Sequence, residues 1–415
     1  MKVVRSPVGD AVAALHYGRH VLDVLAEIPD ESIQCVCTSP PFWNLRDYNT
    51  PPVVFGGRRG CNHVWEDDRL QCRICSAWAG HLGQEPTPQM FVSHLVEIFR
   101  EIRRILRPDG TCWVNLGDTF ANDSKWGGAT GGKHLSDLHG QTGIGRSRTY
   151  SGLKPKELAG VPWRFAFAMQ EDGWWLRSDI IWQKLNPMPE PVTDRPTRAH
   201  EYIFLFTKAS RYYYDHDAIK EPVAEAGRSS GNVDRKVAAD GERARLNTHM
   251  GSSVPWADDG GGRNKRSVWT INPRPYAGAH FAVWPTDLVE PMVLAGSSHK
   301  ACLHCRAPWE RAVETWGGRD WRQDRMIPKG IPGELAGDGS YKRGQSASPL
   351  NDVKSRRTTG WQPTCACPNN DGSARSIVLD PFSGSATTGA VALRLGRGAL
   401  GTGCRNVGRS RLAPR

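Results

Sequence analysis

Between Pro86 and Leu106 the apolar residues Phe91, Leu95, Ile98, Phe99, Ile102, Ile105 and Leu106 recur at three- and four-residue intervals. That spacing places them on one face of an α-helix. Thr87 is positioned to cap this helix, Pro88 suits its first turn, and Pro108-Asp109-Gly110 predicts its end. Shorter apolar runs have the length of buried strands: Ser32 to Thr38, Thr111 to Leu116, Glu201 to Thr207 and Ser376 to Asp380. The last run leads into a second helical pattern, from about Thr387 to Leu395. Strand, helix and strand in this rhythm predict an α/β fold, with a mostly parallel sheet covered by helices on both faces.

Three polar segments interrupt the rhythm: Asn122 to Lys154, Ala218 to Arg266 and Gly317 to Gln362. They hold too little apolar surface to offset their ordering entropy, which predicts segments that stay mobile unless they meet a partner, either as solvated loops or as loops that order on one. Ala218 to Arg266 carries nine Lys or Arg, so DNA phosphates are the expected partner. Composition agrees, with a formal net charge of +11 and a pI near 9.2 favouring a polyanion. At 415 residues, 39% hydrophobic with 44 Gly and 29 Pro, the chain has room for a catalytic core plus insertions. No run approaches the roughly 18 apolar residues of a membrane span. The N-terminus lacks an apolar signal core, so a reducing, cytoplasmic setting is expected.

That setting changes the meaning of the 11 cysteines. Cys61, His63, Cys72 and Cys75 form one cluster, and Cys302 and Cys305 with Cys365 and Cys367 form another. Close thiolate pairs in a reducing compartment suit tetrahedral zinc rather than disulfides. Four ligands leave no open position, so both read as structural clips, the alternative being buried, inert thiols.

Two motifs carry chemistry. Thr38-Ser39-Pro40-Pro41-Phe42 falls at the C-terminal end of a predicted strand, the edge where open α/β sheets bind ligands. Ser39 Oγ and the Ser39 and Pro40 carbonyls are acceptors, the two prolines remove donors, and Phe42 offers a stacking face. Such a set suits an exocyclic amino group whose lone pair is delocalised into its ring. The second motif, Asp380-Pro381-Phe382-Ser383-Gly384-Ser385-Ala386-Thr387-Thr388-Gly389, follows a strand and opens a helix. Its small residues allow close approach to a cofactor, and it has no Lys for a nucleoside triphosphate. Asp380 suits a positively charged α-amino group.

Together the motifs resemble the DNA amino-methyltransferases, and their order, catalytic motif before cofactor loop, resembles the β-group. Glu85 to Asp118, Lys154 to Lys208 and Gly278 to Gly296 are similar to further segments of that family. The resemblance implies a Rossmann-like, S-adenosylmethionine-dependent fold in circularly permuted motif order, acting on double-stranded DNA. It implies that Ser39, Pro40, Pro41 and Phe42 hold a flipped-out base. Asp380, Phe382, Gly384, Ser385 and Thr388 would form the cofactor loop, closed by Phe281 and Trp284. Methyl transfer would be direct, without a cysteine nucleophile. Ser-Pro-Pro-Phe is associated with cytosine N(4); adenine N(6) is the alternative. The implied domains are a catalytic half (1–217, zinc-like insertion about 56–82, mobile loop about 122–154), a target-recognition region (218–268), and a cofactor-binding half (269–415, zinc-like insertion about 299–370). A restriction enzyme is a possible companion; oligomeric state is not legible.

Three departures from the family pattern stand out. Ala386 replaces a Gly, Gly18-Arg19-His20 lacks the usual Asp, and Leu400-Gly401-Thr402-Gly403-Cys404 lacks the carboxylate expected at the end of the next strand, near the cofactor's ribose. The Gly/Arg-rich tail beyond reads as a frame change or truncation. A non-catalytic DNA-binding protein of the same fold is therefore a second expectation.

Overall fold

The computed structural model describes residues 2–5, 12–44, 52–58, 60–66, 70–121, 151–187, 189–190, 192–222, 262–273, 283–316 and 355–403. Most of the three polar segments, Phe281 and the tail from Cys404 lie outside these residues. The chain divides into two compact units: Met1–Ile219 with Arg266–Glu310 and Pro363–Arg415, and Lys220–Lys265 with Arg311–Gln362. The segments expected to carry catalysis and cofactor binding both fall in the first unit, and the basic segment falls in the second.

The described strands are β1 (Lys2–Arg5), β2 (Val12–Tyr17), β3 (Ile33–Thr38), β4 (Val53–Phe55), β5 (Trp78–Gly80), β6 (Leu106–Leu116), β7 (Trp175–Gln183), β8 (His200–Thr207), β9 (Val268–Thr270), β10 (Trp309–Trp316), β11 (Ser355–Pro363), β12 (Ile377–Asp380) and β13 (Gly398–Gly403). The described α-helices are α1 (Val21–Ala26), α2 (Pro88–Ile105), α3 (Val161–Glu171), α4 (Thr286–Gly296) and α5 (Thr387–Arg394).

Nine strands form one sheet in the order β1-β2-β13-β12-β3-β6-β8-β7-β9. Its centre, β2-β13-β12-β3-β6, is parallel. Strand β8 runs antiparallel between β6 and β7. From β3 the chain crosses by α2 to β6 on one side, and from β12 by α5 to β13 on the other. The strand order thus reverses between β3 and β12. A crevice opens outside the carboxyl ends of strands at such a switch point, which is where this sheet class binds ligands.

Alternation divides the core between the faces. On β6, Cys112, Val114 and Leu116 face α2 and α3, joined by Phe91, Leu95, Phe99 and Phe165. Trp113 faces the opposite way, with Leu288, Val289 and Met292 of α4 and Val391 of α5. The sheet is therefore covered on both faces, as a Rossmann-like fold requires. Helix α2 follows its predicted periodicity, and Thr87 Oγ1 accepts the Met90 N–H at 3.2 Å. Its end differs from expectation. Leu106 is already extended and pairs with Ile33, so Pro108 to Gly110 lie within β6 rather than in a loop. Pairing with β3 overrides the local turn signal.

The second unit contributes the bulk of the β10-β11 ribbon, where Thr359 Oγ1 donates to the Ala312 carbonyl at 3.2 Å. In the same unit Glu221 and Arg263 exchange backbone hydrogen bonds of 2.9 and 2.8 Å, pairing the two ends of the basic segment.

Replacing Thr87 by Ala is expected to lower unfolding stability by about 1 kcal/mol, the usual cost of a lost N-cap. Denaturant titration at constant m-value checks this; an unchanged midpoint contradicts the capping assignment.

Candidate functional site

Strand β3 is buried from Ile33 to Thr38. The Ser39–Asn44 turn that follows emerges in the crevice, with Pro40 and Trp43 buried and Ser39, Pro41 and Phe42 half-buried. The ring of Phe42 packs against Gly117, where an added Cβ would lie 2.5 Å from Phe42 Cε2. Only a glycine admits the ring there.

Because β12 pairs in parallel with β3, the two motifs meet although 342 residues separate their ends. Thr38 Oγ1 donates to Asp380 Oδ1 at 2.7 Å, and Thr388 Oγ1 to Asp380 Oδ2 at 2.8 Å. The Phe382 N–H also donates to Oδ1, at 3.1 Å. Asp380 is 5% exposed, and its carboxyl is pushed up to about 6 by burial, against the pull of these three hydrogen bonds. The sequence offers Asp380 as an acceptor for a ligand's ammonium group; in the structure it accepts from three donors of the protein. Its carboxylate turns inward and joins the cofactor-loop motif to the Ser-Pro-Pro-Phe motif.

The loop between β12 and α5 is tightly determined. Ser383 N–H bonds to the Thr402 carbonyl at 2.6 Å and Thr402 Oγ1 to the Pro381 carbonyl at 2.6 Å. Ser385 and Thr387 hydroxyls lie 3.0 Å apart. Gly384 N–H donates to the Phe382 carbonyl at 2.8 Å. Ala386 starts the helix in the left-handed region, at φ 60°. A Cβ in that conformation costs roughly 1–2 kcal/mol, strain that a glycine at this position would not carry. Ser383 Oγ is buried with no hydrogen-bond partner among the described residues. Beside the loop, β13 ends in Gly401-Thr402-Gly403 without a carboxylate. A Cβ on Gly403 would lie 3.1 Å from the Tyr17 ring.

Sequence reasoning missed what supports Ser39. Its hydroxyl lies 3.0 Å from Asn115 Oδ1. Asn115 Nδ2 donates to Glu201 Oε2 at 3.0 Å and to the Tyr202 carbonyl at 3.1 Å. Glu201 in turn pairs with Lys184, whose ammonium lies 4.2 Å from the Trp182 ring centroid. Asn115 is 2% exposed. With both amide hydrogens engaged, its Oδ1 accepts from Ser39, so the Ser39 proton is committed inward and its lone pairs are left as acceptors. Asn115 on β6, Glu201 on β8 and Lys184 just after β7 have no spacing that announces this chain of contacts.

Trp284 precedes α4 and is buried in the core on that face; Phe281, its expected companion, lies outside the described residues. The thiols of Cys37 and Cys112 are pushed up by burial, so neither supplies a thiolate beside the turn.

Both Cys/His clusters assemble. In each, the four ligand atoms lie within 4.8 Å of one another. Cys61 and Cys72 sulfurs are 4.0 Å apart, and Cys75 Sγ is 3.4 Å from His63 Nδ1. The two Cys-x-x-Cys turns are copies of one geometry. Ile74 N–H and His304 N–H each point at the first sulfur of their turn, at 3.4 Å. Ser76 and Arg306 follow the second Cys at φ 59° and 60°. Cys72 N–H bonds to the Ala77 carbonyl at 2.7 Å as Cys302 N–H does to that of Ala307 at 2.9 Å.

Residues 33–301 match the N6/N4 methyltransferase family model, described as DNA methylase. The chain is 38% identical over 276 residues to the Type II methyltransferase M.Cfr9I of Citrobacter freundii, covering 66% of this chain and 70% of that one. It is 39% identical over 270 residues to the Type II methyltransferase M.SmaI of Serratia marcescens, covering 65% and 70%. Among solved structures, the PvuII cytosine-N4-specific DNA methyltransferase aligns over 97% of this chain and 85% of that one, at 13% identity and a TM-score of 0.47.

The raised carboxyl of Asp380 sets the sign of a pH effect. Between its ordinary value near 3.8 and about 6, the unfolded chain gives up this proton while the folded chain keeps it. Folding is therefore favoured by Asp380 below about pH 4, and that contribution is lost as pH rises through about 6, a swing of roughly 3 kcal/mol. Asp380→Asn keeps acceptance from Thr38 and Phe382 through its oxygen, and Thr388 can turn to the Cys37 carbonyl at 3.3 Å. The variant is expected to lose the swing and to be more stable than the parent above pH 6. Denaturation curves of both chains at pH 4 to 8 check this; parallel curves contradict it.

Proposed function

The chain belongs to the N6/N4 DNA methylase family, and from that premise we propose that it moves a methyl group from S-adenosylmethionine to the exocyclic amino group of a flipped-out base in DNA, with cytosine N(4) as the target. The observation that carries this reading is the Thr38–Asp380–Thr388 junction, which holds an acceptor-rich turn and a small-residue loop side by side at the switch point.

Ser39, Pro40, Pro41 and Phe42 receive the base. An arylamine nitrogen is a weak nucleophile until its hydrogens are drawn out of the ring plane. Ser39 does this with its oxygen, because its own proton is held by Asn115, and the Ser39 and Pro40 carbonyls add acceptors that the prolines leave without competing donors. Phe42 stacks on the base. The loop of Phe382, Gly384, Ser385 and Thr388, ordered from beneath by Asp380, receives the cofactor, with Phe281 and Trp284 flanking it. The buried, unpartnered Ser383 Oγ fits this reading, since a polar ligand group would satisfy it. S-adenosylmethionine supplies an electrophilic methyl on a sulfonium, so transfer is direct and no enzyme nucleophile is needed.

The two Cys/His groups hold structural zinc. Sulfurs about 2.3 Å from a tetrahedral ion lie roughly 3.8 Å apart, close to the 4.0 Å separation of Cys61 and Cys72. The donor sets, three thiolates with one imidazole and four thiolates, are those of closed sites. The basic segment, which lies largely outside the described residues, is assigned to target recognition, and a companion restriction enzyme remains part of the proposal.

Ser39→Ala and Phe42→Ala are expected to abolish methylation while leaving S-adenosylmethionine affinity within about twofold, because both contact the base. Calorimetric titration and nucleoside mass spectrometry on DNA from expressing cells test this together. N(4)-methylcytosine is the expected product. N(6)-methyladenine alone transfers the assignment to that base, and neither product with no cofactor binding leaves a non-catalytic DNA-binding protein.

Elemental analysis should find two zinc ions per chain, and chelation should unfold the segments around both clusters. Less than one ion per chain contradicts the two-clip reading.

A further inference from the structure

The first Cys/His knuckle lies between β4 and β5, which pair as Val53↔Gly80, Val54↔Ala79 and Phe55↔Trp78. This hairpin is not a free appendage. Phe55 and Trp78 are buried and stack on His94 of α2, with ring centroids 5.0 and 5.5 Å from it. The Gly56 N–H donates to Glu97 of the same helix at 3.1 Å. His94 Nδ1 lies 3.0 Å from Glu85 Oε1, and the Glu85 side chain has no exposed surface.

Glu85 connects this layer to the base-binding turn. Its other oxygen, Oε2, accepts the Gly83 N–H at 2.7 Å, and its backbone carbonyl accepts Trp43 Nε1–H at 2.8 Å. Gly83 is held at φ 95°, and its carbonyl accepts the Asn44 N–H at 2.6 Å. The approach is so close that a Cβ on Gly83 would lie 2.9 Å from the Phe42 carbonyl oxygen and 3.4 Å from Pro41 Cβ. The segment 83–85 thus grips the turn at Pro41, Phe42, Trp43 and Asn44. A buried carboxylate with both oxygens engaged fixes that grip to α2 and to the hairpin.

We propose that Glu85, held by His94, is a positioning residue through which the Cys61–His63–Cys72–Cys75 knuckle sets the place of the base-binding turn, so that loading of this metal site governs turnover. The proposal rests on reading Ser39 to Phe42 as the base site. Glu85 touches neither base nor cofactor and acts through the turn. The second knuckle provides an internal comparison, because it is tied to the other end of the sheet. Gln34 Nε2 donates to the Arg306 carbonyl at 3.1 Å, and Arg107 of early β6 donates to the Cys305 carbonyl. Losing a ligand there loosens the amino ends of the strands, away from the turn.

The test is amide hydrogen exchange on the purified, full-length, zinc-loaded chain, with Glu85→Ala, Glu85→Gln, Cys75→Ser and Cys305→Ser compared with the parent. Exchange of the Asn44 amide is expected to quicken at least about tenfold in Glu85→Ala and Cys75→Ser, while cofactor-loop amides keep their protection. Cys305→Ser should leave Asn44 unchanged. In parallel, kcat should fall about 10²-fold with S-adenosylmethionine affinity unaltered, the scale expected when a reacting group is displaced by about 1 Å. Glu85→Gln should recover most of both, since its oxygen still accepts from Gly83 and its amide keeps a hydrogen-bonding group beside His94 Nδ1.

Unchanged Asn44 protection in Glu85→Ala and Cys75→Ser overturns the proposal, as does equal loss in Cys305→Ser, which marks global destabilisation. Cys75→Ser, which leaves Glu85 and His94 in place, decides the question should Glu85→Ala not fold. If Ser39→Ala proves fully active, the base-site reading fails, and with it the link to turnover, whereas the exchange results still decide whether the knuckle positions the turn.

Discussion

The parallel pairing of β3 with β12 is the constraint on which the rest of the structure depends. Its register, Cys35 with Val378 and Val36 with Leu379, brings Thr38 and Asp380 side by side at the carboxyl edge. Everything assigned to chemistry follows from that adjacency. A buried carboxyl is costly, and here three hydrogen bonds from both motifs offset the cost. Those bonds specify one arrangement of turn and loop. The pairing is also where crossovers diverge, so the crevice opens over the same two strand ends.

Around that junction the molecule uses hydrogen bonds to decide which atoms remain acceptors. Ser39 is the clearest case: Asn115, oriented by Glu201 and the Tyr202 carbonyl, accepts the Ser39 hydroxyl hydrogen bond, so the serine oxygen is left to act as an acceptor. A free serine hydroxyl donates or accepts with equal ease. A serine whose proton is committed only accepts, and that directionality is what an amino group requires.

The two knuckles place the same local geometry at opposite ends of the central strands. One bears on the loop beneath the Ser39 turn, through Phe55, Trp78, His94 and Glu85; the other on Gln34 and Arg107 at the strand starts. Both insertions hold turns that have little apolar surface of their own, which a helix-and-sheet core cannot fix by packing alone. In each, four ligand atoms converge within 4.8 Å of one another where a packed core would otherwise be needed.

By itself the sequence determined the elements whose signal is local. The α2 periodicity, its Thr87 cap, the apolar runs of β3 and β12 and the Cys-x-x-Cys spacings each depend on residues within a turn or two of one another. The Ser-Pro-Pro-Phe and glycine-rich motifs were legible for the same reason, since their chemistry is written in consecutive residues. β13, Gly-Ala-Leu-Gly-Thr-Gly, was legible only through the family resemblance, because it has few strand-forming side chains of its own and exists through its neighbours β2 and β12. Not legible were the protein donors of Asp380, which a sequence offers only as an acceptor and the fold joins to Thr38, Thr388 and Phe382. Asn115 and Glu201 acquired roles only when strand pairing brought them to Ser39 and Lys184, and Glu85 only when the turn at Trp43 folded against it. Local propensity and spacing are properties of a short stretch of chain; the choice of a partner across hundreds of residues is made by the sheet, and only tertiary structure decides it.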